Sequence, residues 1–347
     1  MSFRIAIVND LGMAREALRR LVLQVPGASV AWLANDGAEA LARAKADRPD
    51  LVLMDLIMPV MDGVECTRRI MQEAPCPILV VTATVEGNAS RVYEAIGAGA
   101  LDAVDTPRLG SGGAVGDKSF LAMIERIRKM RRTDVAPAAR AASAAIAARP
   151  AAALPAGRCA VVAVGASTGG PQALSALLRS LPAEAPYATW IVQHMEASFL
   201  PGLAQWLSVQ CGRPVELARR GDRARPGSVL VAGEAQQLVV RGDGTLDYEP
   251  GDPDLVHRPS VDVLFASLAA APACTGAAVL LTGMGADGAR GMLALRERGW
   301  RTFAQDRASS VVWGMPGAAD QIGAAERVLP VAEIGAAVHA AVAGARP

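Results

Sequence analysis

Short apolar runs alternate with amphipathic stretches through the first part of the chain. The runs are rich in β-branched residues and have the length of strands, and the stretches between them repeat their apolar positions at helical spacing. The strand-like runs are 3–8, 29–33, 50–54, 76–82 and 101–104. A last helical segment, from Lys118 to Arg132, presents one apolar face. This alternation predicts an α/β, doubly wound domain of five parallel strands joined by right-handed crossovers.

A second alternating pattern begins at Cys159 and continues to the end of the chain. Its strand-like runs are 159–164, 188–193, 228–232, 236–240 and 276–281. Helical spacing recurs near 170–180, 199–210, 261–270 and 287–298. The pattern predicts a second α/β unit with a mostly parallel sheet. Two strand-like runs flank Gly233 closely, which favours a hairpin there.

The stretch between the two patterns has a different composition. From Ala136 to Arg158 it is almost entirely Ala, Pro and Arg, with few large apolar residues that could dock on a core. We therefore predict a first domain at 1–132, a linker at 133–158 and a second domain at 159–347. The length of 347 residues is suitable for two domains with their own cores.

Composition and charge exclude several functional classes. No apolar run approaches the ~18 residues needed to span a bilayer, and the N-terminus lacks a secretory signal, so we expect a cytoplasmic protein without membrane insertion. The net charge of +1 gives no reason to expect a nucleic-acid partner. The cysteines are scattered and never spaced C-x-x-C, which predicts reduced and mostly packed side chains. They are Cys66, Cys76, Cys159, Cys211 and Cys274.

Two acids and a threonine stand where three strands of the first domain are predicted to end. They are Asp10, Asp55 and Thr82. Ligands of doubly wound sheets bind outside the carboxyl ends of the strands, so these side chains should converge. Paired carboxylates suit a hard cation such as Mg²⁺, which would neutralise an incoming phosphoryl group while Asp55 acts as nucleophile.

These residues resemble a response-regulator receiver domain, which has a flavodoxin-like fold. The resemblance rests on the pair at 9–10, the stretch Leu51–Gly63, and Thr82. It implies that Asp55 is the phospho-acceptor and that Thr82 contacts the phosphoryl group. The implied Mg²⁺ ligands are the side chains of Asp10 and Asp55 and the backbone carbonyl of Ile57.

The first domain departs from the receiver pattern at three positions. Asn9 stands where the family usually has a second acid, Ala103 replaces a frequent aromatic, and Thr106-Pro107 replaces Lys-Pro. Because the missing ammonium removes a charge-assisted contact with the phosphoryl group, we expect weaker phosphorylation or switching. The loop 102–107 is also similar to that of a Wsp-type branch of surface-sensing pathways.

A serine follows the first predicted strand of the second domain. Residues 165–169 read Gly-Ala-Ser-Thr-Gly, a G-x-S-x-G pattern between a strand and a helix, where small neighbours allow Ser167 to occupy a sharp exposed turn. The same glycines could instead cradle a phosphate at the helix N-terminus.

A serine nucleophile needs a base, and the chain has three histidines. His194 follows the strand 188–193 and is the best placed, His257 in a loop is a competitor, and His339 in an Ala-rich terminal helix is expected to be structural. The third member of a triad would be a carboxylate, for which Asp287 in a glycine-rich turn is the candidate. A plain helix N-cap is the alternative for Asp287.

The second domain resembles the CheB family of chemotaxis protein-glutamate methylesterases. The motifs that carry the resemblance are Val164–Gly170, Gln193–Met195, His257–Ser260, Leu281–Gly288, Gln305-Asp306 and Val311–Pro316. The resemblance implies a nucleophile at Ser167, a general base and acid at His194, and Asp287 as its orienter. Backbone N–H groups near Thr168 and Met284 are the implied oxyanion donors, and Arg258 is a candidate contact for an acidic receptor surface.

The resemblance also implies a reaction and partners. Ser167 would attack glutamyl methyl esters on a methylated chemoreceptor, with glutamine deamidation by the same path and no cofactor for the ester reaction. A CheA-type histidine kinase would be the phosphodonor for the receiver, and the output would be adaptation in a chemosensory pathway.

Two other classes of function remain open at this point. A receiver that controls a transcription factor or scaffold would need a basic recognition helix after the linker, where the chain has glycine-rich strand ends. A general esterase of small molecules would need a deep apolar pocket.

Overall fold

The protein forms two compact units, Met1–Ala139 and Arg140–Pro347. The computed structural model describes residues 2–82, 85–106, 120, 121, 123–125, 127, 128, 159–251, 255 and 257–344, with only the backbone of 85–90. The linker predicted at 133–158 lies outside the described residues, so the three domain limits remain predictions.

The first unit is built on a five-stranded parallel sheet, as its sequence pattern predicts. Its strands in sheet order are β2 (Ala28–Ala34), β1 (Phe3–Val8), β3 (Leu51–Met54), β4 (Ile78–Thr82) and β5 (Asp102–Asp105). The four bounded helices between them are Gly12–Val22, Gly37–Ala46, Gly63–Glu73 and Val85–Ala98. The described residues of the predicted closing segment are helical, and Phe120, Ile124 and Ile127 are buried in the sheet's core. The doubly wound prediction is therefore confirmed.

The second unit contains a seven-stranded parallel sheet. Its strands in sheet order are β14 (Arg327–Leu329), β13 (Arg301–Gln305), β12 (Cys274–Leu280), β6 (Cys159–Ala166), β7 (Ala188–Gln193), β9 (Val229–Val231) and β8 (Glu216–Leu217). Its α-helices are Gly170–Ser180, Leu200–Cys211, Val261–Ala270, Ala289–Glu297, Met315–Gln321 and Val331–Ala343. The central strands are buried on both faces, which explains why their sequences are continuous apolar runs.

The hairpin expected around Gly233 is wrong. β9 pairs in the seven-stranded sheet, whereas β10 (Gln237–Val240) pairs antiparallel with β11 (Leu246–Glu249) in a sheet of two strands. The turn lies instead at Asp243-Gly244, where Gly244 has φ +83° and the Asp243 carboxylate accepts a hydrogen bond from Thr245 N at 3.0 Å. An Asp-Gly pair favours such a hairpin because glycine adopts the positive φ.

The position of β6 determines where a ligand can bind. β7 lies on one side of β6 and β12 on the other, so the chain changes direction in the sheet beside β6. In doubly wound sheets the crevice at such a switch point, outside the carboxyl ends of the strands, is the binding site. None of the described helices has the length and apolar character needed to cross a membrane.

Candidate active site

The turn after β6 holds Ser167 rigidly. Ser167 N donates to the carbonyl of Thr282 at 3.0 Å, and its own carbonyl accepts from Gln193 Nε2 at 2.9 Å and from Gly170 N at 2.7 Å. Gly169 has φ +75°, which lets the chain turn directly into the helix Gly170–Ser180. Strand β6, its two neighbours and the helix start therefore fix the serine backbone.

The turn after β12 packs directly against this serine. A Cβ atom added to Gly283 would lie 2.7 Å from Ser167 Cβ and 2.3 Å from Met315 Sδ. The carbonyl of Gly283 accepts from Gly314 N at 3.0 Å and from Met315 N at 2.8 Å. Only a residue without a side chain permits this approach, so Gly283 brings the backbone of residues 282–285 up to Ser167.

His194 forms a hydrogen-bonded pair with Asp287. His194 follows β7, and its Nε2 lies 2.7 Å from Asp287 Oδ2. Both side chains are largely buried, at 5% and 10% exposure. A neutral imidazole carries one proton, and here Nε2 needs it to donate to the carboxylate. Nδ1 is therefore an acceptor. That Nδ1 atom is buried and has no hydrogen-bond partner among the residues that the structure describes.

Asp287 also caps a helix, but not the one that follows it. Its Oδ1 accepts from Ser260 Oγ at 2.7 Å and Asp262 N at 3.0 Å, and its Oδ2 accepts from Val261 N at 2.7 Å. These groups form the N-terminus of the helix Val261–Ala270, where a negative charge is favoured. The alternative of a plain cap for the next helix is wrong, because Gly288 occupies that position.

The environment keeps Asp287 ionised. Burial by itself raises the pKa of this carboxyl. The hydrogen bond and charge of His194, together with the hydrogen bonds from Ser260 and Asp262 N, lower the pKa by more than burial raises it. The net result is a pKa below the usual range of aspartate. The carboxylate can therefore hold the His194 ring in one tautomer and stabilise its protonated form.

Buried polar atoms without a protein partner concentrate beside Ser167. Among the described residues, three of the atoms of this kind are Thr168 Oγ1, Gln193 Oε1 and His194 Nδ1. An unsatisfied buried polar atom is costly, and a cluster of them is typical of a functional site. The three come from residues next to the serine or at the end of β7.

The segment 257–260 supports the His194–Asp287 pair from a second side. The ring of His257 stacks on that of His194 with centroids 4.0 Å apart and planes 7° from parallel. Gln237 anchors the segment, because its Nε2 donates to the His257 carbonyl at 2.8 Å and its Oε1 accepts from Ser260 N at 2.7 Å. Sequence reasoning missed Ser260 and Gln237, although Ser260 had the signal of a helix N-cap before an apolar run.

A cleft of about 550 Å³ adjoins the turn after β12. It is lined by Gly285, Trp313, Gly314, Gly317, Ala318, Asp320 and Gln321. Gln305 connects Trp313, in the loop beside the cleft, to the turn after β12. Its Oε1 accepts from Thr282 N at 2.8 Å, and its carbonyl accepts from Trp313 Nε1 at 2.9 Å.

Asp10 and Asp55 of the first unit lie close enough for the charge of Asp10 to act on Asp55. Asp55 follows β3, and its Oδ2 accepts from Asn9 Nδ2 at 2.9 Å while its Oδ1 accepts from Leu56 N at 2.7 Å. Burial raises the pKa of Asp55 to about 6 against the hydrogen bonds of Leu56 and Ile57, and the charge of Asp10 raises it further. A carboxylate whose ionisation is opposed by a neighbouring acid fits a hard divalent cation.

Thr82 and Ile57, two other predicted residues, lie at the end of the strand paired with β3 and two residues after Asp55. Thr82 is buried at the end of β4, its carbonyl accepting from Thr106 N at 2.9 Å, and Ile57 is 53% exposed. Pro107 lies outside the described residues. Within the described part of the chain, His, Cys, Asp and Glu side chains form no cluster of three or more that could hold a metal.

Comparison with known proteins decides the family. Residues 162–338 match the family model of the CheB methylesterase, and residues 5–108 match that of the response regulator receiver domain. A protein-glutamate methylesterase/protein-glutamine glutaminase of Burkholderia thailandensis is 50% identical over 331 residues, 95% of this chain and 95% of that protein. One of Pseudomonas syringae pv. syringae is 48% identical, covering 95% of this chain and 97% of that protein. The chain belongs to the CheB methylesterase family.

A solved structure of the family is similar to part of this chain. The crystal structure of the Thermotoga maritima CheB methylesterase catalytic domain is 31% identical, covers 52% of this chain and 97% of that chain, and gives a TM-score of 0.49. CheB family membership contradicts the alternative of a receiver coupled to a transcription factor, since residues 162–338 match the CheB methylesterase family.

The remaining predicted residues of the CheB unit occupy distinct positions. Thr168 is buried next to Ser167, Met284 is half-buried in the turn after β12, and Arg258 is exposed. His339 lies in the helix Val331–Ala343, where its Nδ1 is 3.3 Å from Tyr187 Oη. His257, the competitor for the base, contacts His194 as a stacked ring and not as its hydrogen-bond partner.

Proposed function

We propose that this chain hydrolyses glutamyl methyl esters of chemoreceptors, and deamidates specific glutamines, under the control of phosphorylation at its receiver domain. Relatives about 50% identical over nearly the whole chain are named protein-glutamate methylesterase/protein-glutamine glutaminase. The observation that carries the proposal is the buried His194–Asp287 pair at the same edge of the sheet as Ser167. The order Ser, His, Asp along the chain distinguishes it from ordinary α/β-hydrolases.

Acylation uses the orientation of the imidazole. Ser167 Oγ attacks the ester carbonyl while His194 Nδ1 accepts its proton, since Nε2 is committed to Asp287. The tetrahedral intermediate then collapses as His194 returns the proton to the leaving methoxide, which departs as methanol. Asp287 stays ionised and stabilises the transient imidazolium.

Deacylation repeats these roles with water. His194 Nδ1 takes a proton from the water that attacks the acyl-enzyme, and returns it to Ser167 Oγ when the glutamate carboxyl is released. With a glutamine substrate the leaving group is ammonia in place of methanol. The same residues then serve both substrates, and no cofactor is required for either.

Backbone N–H groups near Thr168 and Met284 are the proposed oxyanion donors. Thr168 follows the nucleophile and Met284 lies in the turn that packs against it through Gly283. Loss of one such donor typically costs about 3 kcal/mol of transition-state stabilisation. Arg258, exposed beside the His257 stack, is proposed to attract an acidic receptor surface.

The receiver supplies the regulation. Asp55 is proposed to accept the phosphoryl group from a CheA-type histidine kinase, with Thr82 contacting the phosphoryl oxygens. Mg²⁺ would be held by Asp10, Asp55 and the carbonyl of Ile57, and when bound it supplies positive charge for the transfer. Asn9 already donates to Asp55, so this chain offers a neutral donor where the family usually has an acid.

The remaining predictions complete this proposal. The receiver spans 1–132, the linker 133–158 and the methylesterase domain 159–347. The protein acts in the cytoplasm on methylated chemoreceptors, and its output is adaptation in a chemosensory pathway.

Mass spectrometry of receptor fragments tests the proposed substrates. Purified methylated chemoreceptor cytoplasmic fragments incubated with the chain should lose methyl groups at glutamates and convert specific glutamines to glutamates. The variant His194→Ala should leave the methyl esters and the glutamines unchanged. Ser228→Ala should behave as wild type, because the Ser228 hydroxyl donates only to the carbonyl of Arg225 among the described residues. If the protein hydrolysed small esters but left the receptor fragments unmodified, the result would contradict the proposal and support a general esterase.

A further inference from the structure

Two cysteines that are far apart in the sequence start neighbouring strands of the second unit. Cys159 begins β6 and Cys274 begins β12, and the two are register partners in the parallel pairing. Their Sγ atoms lie 2.8 Å apart, and Cys159 N donates to the Ala273 carbonyl at 2.9 Å. Adjacent strands lie about 4.8 Å apart, which is within the Cα separations of about 4.4–6.8 Å that disulfides span.

The two thiols differ in exposure. Cys159 is half-buried, whereas Cys274 is only 2% exposed. The β10–β11 turn covers them closely, because a Cβ atom at Gly244 would lie 3.4 Å from Cys274 Sγ and 3.5 Å from Cys159 Sγ. An oxidant therefore reaches Cys159 first, and Cys274 is already in place behind it.

The surrounding charges favour the same order. The hydrogen bond with Cys274 lowers the pKa of the Cys159 thiol, burial opposes this, and the charge of Arg223 lowers the pKa further. The same hydrogen bond raises the pKa of Cys274, as do its burial and the charge of Asp243. Thiolates are the reactive form of cysteine, so Cys159 is the attacking group and Cys274 the resolving group.

We propose that Cys159 and Cys274 are a reversible oxidation site that closes to a disulfide in the presence of a peroxide. The contrast with the other cysteines supports the assignment. Burial is the main cause that raises the pKa of Cys66 to about 12 and that of Cys76 to about 11, so both stay as unreactive thiols. Cys211 is half-buried, and the structure describes its Sγ beside the Arg213 carbonyl at 3.7 Å.

The chemistry balances with hydrogen peroxide as the oxidant. The Cys159 thiolate attacks one peroxide oxygen, the O–O bond breaks, and the products are a sulfenic acid and, after protonation, one water. Cys274 sulfur then attacks the Cys159 sulfur, forms the S–S bond and displaces hydroxide, which takes the Cys274 proton and leaves as a second water. The two cysteines lose two electrons, and a dithiol reductant restores them by exchange.

The site is separate from the proposed ester chemistry. Cys159 and Cys274 begin the strands whose opposite ends lead to Ser167 and to the turn of Asp287. A bond between them closes a long loop of chain and restricts the unfolded state, so oxidation should raise the thermal midpoint of unfolding. This inference does not depend on which ester the protein hydrolyses.

Peptide mapping after peroxide treatment tests the proposal. The full-length chain is reduced, treated with hydrogen peroxide, denatured, alkylated with N-ethylmaleimide and digested for mass spectrometry. We expect a cross-linked peptide pair joining Cys159 and Cys274, with alkylation retained at Cys66 and Cys76. Oxidation of Cys159 should be at least about tenfold faster than that of Cys211, the matched half-buried control.

Single substitutions distinguish the attacking role of Cys159 from the resolving role of Cys274. In Cys274→Ser, Cys159 should accumulate sulfenic and sulfinic acid with no cross-link, and in Cys159→Ser the Cys274 thiol should remain alkylatable. The rise in thermal midpoint should occur in wild type and Cys211→Ser, and be absent from both site variants. Wild-type protein in which Cys159 reaches sulfinic acid without a cross-link, or in which Cys211 oxidises as fast as Cys159, would overturn the proposal.

Discussion

Asp287 places one carboxylate between a histidine ring and the start of a helix. His194 Nε2 and Val261 N both donate to its Oδ2, each at 2.7 Å, so orienting the ring and capping the helix depend on the same charge. A substitution at this residue should therefore affect stability as well as chemistry. The two effects can be separated by pH.

The variant Asp287→Asn should show a pH-dependent loss of stability. The folded-state pKa of Asp287 lies below its unfolded value of about 3.9, so the carboxylate's contribution is fully present above that value and is lost as pH falls through the folded pKa. We expect the free energy of unfolding to fall by about 2 kcal/mol at neutral pH. Urea unfolding followed by tryptophan fluorescence, repeated at decreasing pH, should show this difference shrinking below about pH 4. A difference that does not change with pH would contradict the assignment.

Ser260 is predicted to be a positioning residue for the same pair. Ser260→Ala removes the donor 2.7 Å from Asp287 Oδ1 and should lower kcat about tenfold while KM stays near the wild-type value. Ser260→Thr keeps the hydroxyl and should restore most of kcat. Steady-state kinetics of ester hydrolysis provide the measurement. Equal loss in the Ala and Thr variants would indicate that packing at this position matters and the hydrogen bond does not.

At the scale of elements, the turn after β12 is the part that packs against Ser167. Its approach depends on Gly283, whose hypothetical Cβ meets both Ser167 and Met315. Gly242, in the β10–β11 hairpin, offers a contrast because a Cβ there would meet nothing within 4 Å.

Gly283→Ala should damage activity more than stability. The new methyl group forces Ser167 or Met315 to shift, which costs about 1–3 kcal/mol in packing and moves the nucleophile from its position. We expect at least about a tenfold fall in kcat from such a displacement. Gly242→Ala should leave kcat and the thermal midpoint unchanged. The account is contradicted if Gly283→Ala is fully active, because the close approach would then have no role.

The elements also show where sequence reasoning succeeds. β6, β7 and β12 are long apolar runs between turn signals, so these three strands could be predicted from the sequence, and they are neighbours in the parallel sheet. β8 and β14 are two- and three-residue edge strands that leave almost no periodic signal. The misplaced hairpin arose because β9 and β10 are adjacent in the sequence, although the sheet pairs β9 with β7 and β8.

The supporting contacts of the site could not be predicted from the pattern. The stack of His257 on His194 and the clamp by Gln237 join residues far apart in the sequence, and each depends on tertiary placement. The same holds for the Cys159–Cys274 pair, because the scattered spacing indicated only packed thiols. Such contacts depend on which strands are neighbours in the sheet, and the hydrophobic pattern of the sequence does not predict that order.

At the scale of the whole molecule, the chain joins a receiver to a methylesterase of the CheB family, each with its own sheet and core. The proposed function requires that a phosphoryl group on Asp55 change the rate at which Ser167 acts. Asn9 and Thr106, which depart from the receiver pattern, are expected to weaken this coupling without removing the acceptor.

The most direct test is methanol release from methylated chemoreceptor cytoplasmic fragments, with and without a small-molecule phosphodonor and Mg²⁺. Wild-type protein should release methanol faster with the phosphodonor, Asp55→Asn should keep only the basal rate under both conditions, and Ser167→Ala should release none. Methanol release that persists in Ser167→Ala would contradict the assignment of the nucleophile, and with it the central claim.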